Sequence, residues 1–158
     1  MAVYERSTRI RASFEDVWAF HESVAGVVAV TPDWFRLRVE SVVGPDGTPD
    51  PDVLEVGAEV TLSIQPFGLG RRQRWTSRIT AREREDGHGY FRDEMRAGPF
   101  RRWRHTHRFS AVPGGTRLTD HVEYALPLGP ARGLSGFAWP GFEFVFAARQ
   151  RLTKQHLE

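Results

Sequence analysis

The stretch from residue 90 to residue 125, YFRDEMRAGPFRRWRHTHRFSAVPGGTRLTDHVEYA, limits the possible folds more than any other part of the chain. It alternates large apolar with charged residues at period two. Turn residues interrupt it at Gly98-Pro99 and again at Pro113-Gly114-Gly115. Three successive antiparallel strands follow from that pattern. One parity collects Phe91, Asp93 and Met95, then Trp103, His105, His107 and Phe109, then Leu118, Asp120, Val122 and Tyr124. The other collects Tyr90, Arg92, Glu94 and Arg96, then Arg102, Arg104, Thr106 and Arg108, then Arg117, Thr119, His121 and Glu123. A slip of one residue would bury the arginines and expose the aromatic rings, so the apolar parity faces inward and the other is a solvated face. The inward set nevertheless holds two histidines and two aspartates, which are costly to bury unless they pair or serve a purpose. An apolar wall with a few converging titratable groups has the makeup of a ligand cavity.

The flanking sequence supplies the remaining elements. Residues 2–11 read as an opening strand. Ser13, followed three residues later by Asp16, caps a helix whose face carries Phe14, Val17, Trp18 and His21. Residues 23–30 read as a second short helix stopped by Pro32. Strands are expected over residues 35–43, 59–66 and 72–85, the last with Gln73, Trp75, Ser77 and Ile79 on one face. Residues 44–53 form a Pro/Gly/Asp-rich loop. Residues 67–71, FGLGR, form a turn with exposed apolar side chains, suited to a lid over a cavity mouth. Asp86-Gly87 signals a hairpin into the three strands already described. After a Pro/Gly-rich connection, residues 141–157 form an amphipathic helix with Phe142, Val145, Phe146, Arg149 and Leu152 on one stripe, and Pro140 suits its first turn.

The fold class is therefore α+β. A seven-stranded, curved antiparallel sheet is expected to grip a long C-terminal helix, with two short helices after strand 1 closing one end. The chain of 158 residues reads as a single domain over 1–158, long enough to enclose a cavity. Its uncharged runs are too short and too broken by Gly and Pro to span a bilayer. No apolar leader pattern opens it, and cysteine is absent, so a cytoplasmic protein without disulfide or thiolate chemistry is expected. Arginine outnumbers lysine 21 to 1, yet the net charge is only +2 and the arginines alternate with Glu and Thr. That balance, and the lack of any recognised motif, argues against a nucleic-acid partner. The alternative use of the outward arginine rows is contact with an anionic membrane surface.

The pattern F-x-D-x-M-x-x-G-P-F-x-x-W-x-H-x-H-x-F, from Phe91 to Phe109, resembles the START-like superfamily, which includes polyketide cyclases and Bet v 1-like proteins and is also called SRPBCC. Gly115-Thr116, Asp120, Val122, Tyr124 and Pro127 extend the resemblance, as do Trp75 and Ile79. The branch it is most similar to is the bacterial cyclase-like group, also found fused to sugar-nucleotide epimerase-like domains. The resemblance spans essentially the whole chain. It implies a helix-grip fold with a deep cavity for a small hydrophobic or amphipathic molecule such as a lipid or polyketide. It implies no cofactor and no metal, and it does not by itself imply an activity.

On that reading the ligand-binding residues are Trp75, Phe91, Asp93, Met95, Trp103, His105, His107, Asp120, Tyr124, Phe142, Val145 and Arg149. Asp93 should lie opposite His105 and Met95 opposite Trp103, with His107 beside Asp120 or Val122. The four polar groups admit three uses. They can form a buried hydrogen-bond network that fixes strand register or orients a ligand's polar end. They can act as a general acid–base pair in a cyclase, dehydratase or lyase, with His105, His107, Asp93 and Asp120 as the candidates. His-x-His on a strand, with Asp93 or Asp120, also matches a three-ligand metal set. The first use is favoured and no metal is assigned. Arg149 either packs its stem and pairs with an acid, or caps a ligand carboxylate. The Tyr124 hydroxyl is expected to be available to a ligand carbonyl or hydroxyl group.

Overall fold

The computed structural model describes residues 2–125 and 139–158, with side chains in the second segment from residue 141 onward. Pro127 and the Pro/Gly-rich connection lie outside the described residues. The elements run β1 (Ala2–Ile10), α1 (Phe14–His21), α2 (Val24–Ala29), β2 (Arg38–Val43), β3 (Glu59–Ile64), β4 (Gln73–Glu85), β5 (His88–Ala97), β6 (Arg102–Val112), β7 (Gly115–Ala125) and α3 (Trp139–Leu157). The seven strands form one sheet in the order β1-β7-β6-β5-β4-β3-β2, and every neighbouring pair is antiparallel. Short turns join β4 to β5, β5 to β6 and β6 to β7, whereas longer loops over residues 44–58 and 65–72 join β2 to β3 and β3 to β4. β1 returns to pair with β7, which places the first and last strands side by side.

The α+β helix-grip arrangement expected from the sequence is the one observed. The register breaks between Thr76 and Ser77, where β5 carries the extra residue Arg96, and between Ile79 and Ala81, where β4 carries the extra residue Thr80. Such bulges bend a strand and strengthen its twist, and so contribute to the sheet's curvature. α3 lies against the concave side and is tied to β1 by polar contacts. Tyr4 donates its hydroxyl to Glu143 at 2.7 Å, and Gln150 donates to the Arg6 carbonyl at 3.1 Å.

The two short helices start as their sequences require. Ser13 accepts a hydrogen bond from the Asp16 amide, and Ser23 accepts one from Gly26. Gly26 is needed for a second reason: a Cβ there would sit 1.9 Å from the Phe20 carbonyl oxygen, so α2 can cross the end of α1 only without a side chain. Arg82 of β4 clasps Glu22 just after α1 at 2.7 Å. The apolar interior falls into three clusters. Ile10, Phe14, Val17, Trp18, Phe109 and Leu118 fix α1 to the sheet. Val42, Leu54, Ala58, Val60, Leu62 and Ile79 form the second, and Tyr4, Val122, Tyr124 and Phe146 form the third, beneath α3.

Three expectations need correction. β2 begins at Arg38 and not at residue 35, because Asp33–Phe35 forms a 3-10 turn that ends with Arg36 in the left-handed region at φ 53°. β3 stops at Ile64, where Pro66 opens a second such turn. The outward parity of β6 is not wholly solvated either. Thr106 is 2% exposed, covered by Arg92, whose Nε donates to its hydroxyl at 3.0 Å.

Candidate functional site

Between α3 and the concave face lies a cavity of about 280 Å³. β3 supplies Val60, Leu62 and Ile64 to its wall, and β4 supplies Trp75, Ser77 and Ile79. Phe91, Asp93 and Met95 come from β5, and Trp103, His105 and His107 from β6. α3 closes the space with Phe142, Val145, Phe146 and Arg149, while His21, Gly26, Val27 and Val30 of the α1–α2 end form its far wall. The lining is overwhelmingly apolar, and its charged and imidazole groups are few: Asp93, His105, His107, His21 and Arg149. A small number of polar groups in an apolar hollow is the makeup of a ligand site, whereas a dry core would dispense with them.

The strand register sets the polar cluster. Asp93 is opposite His105 across β5–β6, and His107 is opposite Asp120 across β6–β7. The hydrogen bonds run otherwise. His105 Nε2 is 2.8 Å from Asp120 Oδ1, and His107 Nε2 is 3.0 Å from Asp93 Oδ2. Each imidazole thus reaches a carboxylate diagonal to its register partner. The longer contacts close a ring of four, with His105 Nδ1 at 3.9 Å from Asp93 and His107 Nδ1 at 3.6 Å from Asp120. The two imidazoles lie close together, with centroids 3.7 Å apart and planes tilted by 33°, and Phe91 stacks on His107 at 4.2 Å.

Burial and charge act in opposite directions here. Burial alone would raise both aspartic acids, but the hydrogen bonds from the imidazoles and the nearby positive charge of Arg149 prevail. Asp93 and Asp120 are both held below the usual carboxylate range. Burial, with His105 alongside, pushes His107 down to about 4 against the pull of Asp93. Burial also lowers His21, whose Nδ1 is 2.8 Å from the Val17 carbonyl.

Ten of the twelve residues expected to bind a ligand line the cavity, and two do not. Asp120 sits behind the imidazoles and touches them from the side away from the hollow. Tyr124 is 1% exposed and belongs to the cluster beneath α3, with Phe142 edge-on to its ring at 4.6 Å. Its position in β7, one strand beyond the cavity wall, removes it from reach of a ligand. The Arg149 carbonyl accepts from the Thr153 hydroxyl at 3.0 Å, but its guanidinium makes no hydrogen bond or ion pair with the described residues and lies 5.9 Å from the Phe146 ring. Burial lowers its pKa, opposed by Asp120 and Asp93.

Three contributors were missed by sequence reasoning. Gln150 is 2% exposed; its amide nitrogen donates to Asp120 Oδ2 at 2.9 Å, and its oxygen accepts from Arg6 Nε at 3.0 Å. It therefore holds the carboxylate that holds His105. An apolar-stripe reading passes over it because it is polar, although it follows Phe146 by four residues and so shares that helix face. His21 enters the sequence reading only on a helix face, and Phe100 only within the G-P-F pattern; both line the cavity. The FGLGR turn exposes Phe67 and Leu69 as expected, and Phe67 stacks on Trp34 at 4.9 Å. As possible metal donors, Asp93, His105 and His107 each offer one atom, all within 4.8 Å of one another.

The comparisons with known proteins concern the fold and the family. A family model described as polyketide cyclase / dehydrase and lipid transport matches residues 10–147. No curated protein matches. Among solved structures, a protein of Chromobacterium violaceum is 11% identical with a TM-score of 0.71, over 100% of this chain and 99% of its own. Major latex-like protein 151 of Panax ginseng is 13% identical with a TM-score of 0.68, over 99% and 97%. A nucleoside-diphosphate sugar epimerase of Corynebacterium glutamicum is 23% identical with a TM-score of 0.58, over 96% of this chain but 28% of its own. At these identities the likeness is one of fold. No helix among the described residues is long and apolar enough to cross a membrane.

Proposed function

The chain belongs to the polyketide cyclase / dehydrase and lipid transport family, and from that premise we propose that it binds a small hydrophobic or amphipathic molecule between the sheet and α3. The apolar body of the ligand lies against Trp75, Phe91, Trp103 and Phe142. Its polar end turns toward Asp93, His105, His107 and Arg149. A cytoplasmic setting belongs to the same reading. The observation that carries it is the hollow itself: about 280 Å³, apolar walls, and a cluster of Asp93, His105 and His107 on the sheet side. A folded chain that needed only a core would fill such a space, because interiors pack as densely as organic crystals.

The test is thermal. Bound apolar ligands should raise the melting temperature in step with their affinity. Val145→Trp, which fills the hollow from α3, should abolish both the shift and the binding of a fluorescent apolar probe while leaving the far-ultraviolet circular dichroism intact. A panel of fatty acids, aromatic polyketides and apolar dyes that moves neither wild type nor variant would defeat the reading.

A second reading is favoured by the His107–Asp93 hydrogen bond on the cavity wall. A cyclase/aromatase- or lyase-type enzyme would use such a pair to move a proton at a substrate carbonyl or its α-carbon. It requires that His107→Gln fold normally, bind substrate, and lose turnover. Retention of full rate in that variant would exclude it.

A further inference from the structure

We propose that Asp93, His105 and His107 form a site for one divalent first-row transition-metal ion of the Zn²⁺ type, open to the cavity and braced from behind by Asp120. The sequence alone left two carboxylates eligible as the third ligand; the geometry selects one. Asp93 Oδ2 lies 3.0 Å from His107 Nε2 and 3.9 Å from His105 Nδ1. The three donors converge within 4.8 Å. Ligand atoms around a tetrahedral zinc ion, each roughly 2.0–2.1 Å from the metal, sit about 3.3 Å apart. Side-chain adjustments of under about 1 Å therefore bring all three onto one ion.

The outer partners fit the same picture. A metal-bound histidine commonly donates its other N–H to a carboxylate, which fixes the tautomer and the ring plane. His105 Nε2 faces Asp120 Oδ1 at 2.8 Å, which leaves Nδ1 to point toward Asp93. His107 Nδ1 faces the same Asp120 oxygen at 3.6 Å, which leaves Nε2 on the Asp93 side. Gln150 pins the other oxygen of Asp120 at 2.9 Å. One carboxylate thus holds the His105 ring by a hydrogen bond and lies within ion-pair range of His107, while the other ligates.

Charge supports the assignment. Two carboxylates face one guanidinium, Arg149, so with both imidazoles neutral, as ligation requires, the cluster carries one excess negative charge. A divalent ion with one hydroxide, or with one anionic ligand oxygen, brings the sum to zero. Two imidazoles and one carboxylate, with no thiolate, favour Zn²⁺ and its neighbours over Mg²⁺ or Ca²⁺. Asp93 borders the cavity and Asp120 does not, so the open position faces the hollow. The ion would there meet a carbonyl, enolate or carboxylate oxygen. That last step rests on the cavity-binding reading; metal uptake itself does not.

The experiment uses the full chain freed of metal by a chelator and then dialysed, with no apolar ligand present. Calorimetric titration with Zn²⁺ should give one ion per chain, and Co²⁺ should produce the visible bands of a four- or five-coordinate ion. Asp120→Asn should weaken uptake about 10- to 100-fold, and Asp93→Asn and His107→Gln by more. His121→Gln, on the outward face, should change nothing. X-ray absorption of the zinc-loaded wild type should show two imidazoles, which decides the matter without any variant. Absence of saturable uptake, equal uptake by His107→Gln, or a zinc spectrum without two imidazoles would overturn the site. Failure of apolar probes to bind, with metal uptake intact, would sink the cavity reading alone.

Discussion

His107 hydrogen-bonds Asp93 at 3.0 Å although the sheet register sets Phe91, not Asp93, opposite it. The pair is a diagonal one, two residues off along β5, a separation that long side chains and rings span on one face of a sheet. His105 and Asp120 make the matching diagonal across β6 and β7, since Val122 is the register partner of His105. Diagonal pairing lets the two imidazoles pack against each other, 3.7 Å apart, while each keeps a carboxylate.

The diagonal has an energetic signature. In a double-mutant cycle measured by urea unfolding, Asp93→Asn with His107→Gln should show a coupling of about 1–2 kcal/mol. Asp93→Asn with His105→Gln, directly opposite in register but 3.9 Å apart, should couple much less. The reverse ranking would mean that the pairs follow the register.

Gln150 links α3 to both β1 and Asp120. Gln150→Leu keeps the volume but strands the buried Asp120 oxygen and Arg6 Nε. Leaving the buried carboxylate oxygen unpaired costs about 1–3 kcal/mol, while the partly exposed Arg6 keeps its Glu143 partner, so unfolding free energy should fall by about 1–3 kcal/mol. Glu94→Ala, which breaks a half-exposed contact to Arg104, should change stability by less than about 0.5–1 kcal/mol. Equal effects of the two substitutions would show that Gln150 has no structural part.

Stability should fall on acidification, and the sign follows from His107. Its imidazole stays neutral in the fold down to about 4, whereas in the unfolded chain it takes a proton near 6.5. Between those values the unfolded state binds more protons, so stability declines as pH falls from 6.5 to 4, by roughly 2–4 kcal/mol for this group. Asp93 and Asp120, held low by their partners, extend the loss below the ordinary carboxylate range. Urea unfolding with chelator present should trace this limb, and His107→Gln should flatten its upper part. An unchanged slope in that variant would refute the assignment.

Arg149 offers a guanidinium that no described residue bonds, on the wall of an apolar hollow. Arg149→Met should reduce affinity for a fatty acid by about tenfold or more, because a charge-assisted hydrogen bond contributes about 1.5–3 kcal/mol. Affinity for the corresponding fatty alcohol should stay within about twofold. Competition against a fluorescent apolar probe measures both. An equal loss for acid and alcohol would mean that Arg149 acts by packing its stem.

What the sequence determined by itself was parity. Period-two alternation over residues 90–125 is a local property of each strand, and a shift of one residue would have inverted every side chain. The inward direction of Asp93, His105, His107 and Asp120 is therefore legible in the chain itself, and so are the number of strands and the final helix. Tertiary structure decided what parity does not contain. Which imidazole meets which carboxylate depends on rotamers within a closely packed pair. Whether Asp120 or Asp93 borders the hollow depends on where α3 lies, and α3 reaches the sheet from across a long separation in sequence. Tyr124 shares the inward parity of Asp93 yet is sealed under that helix, and Gln150, polar and inconspicuous in the chain, becomes a fixed support only when α3 is seated. A strand's pattern tells which side faces in, but the arrival of a distant element determines whether that side meets a cavity or a core.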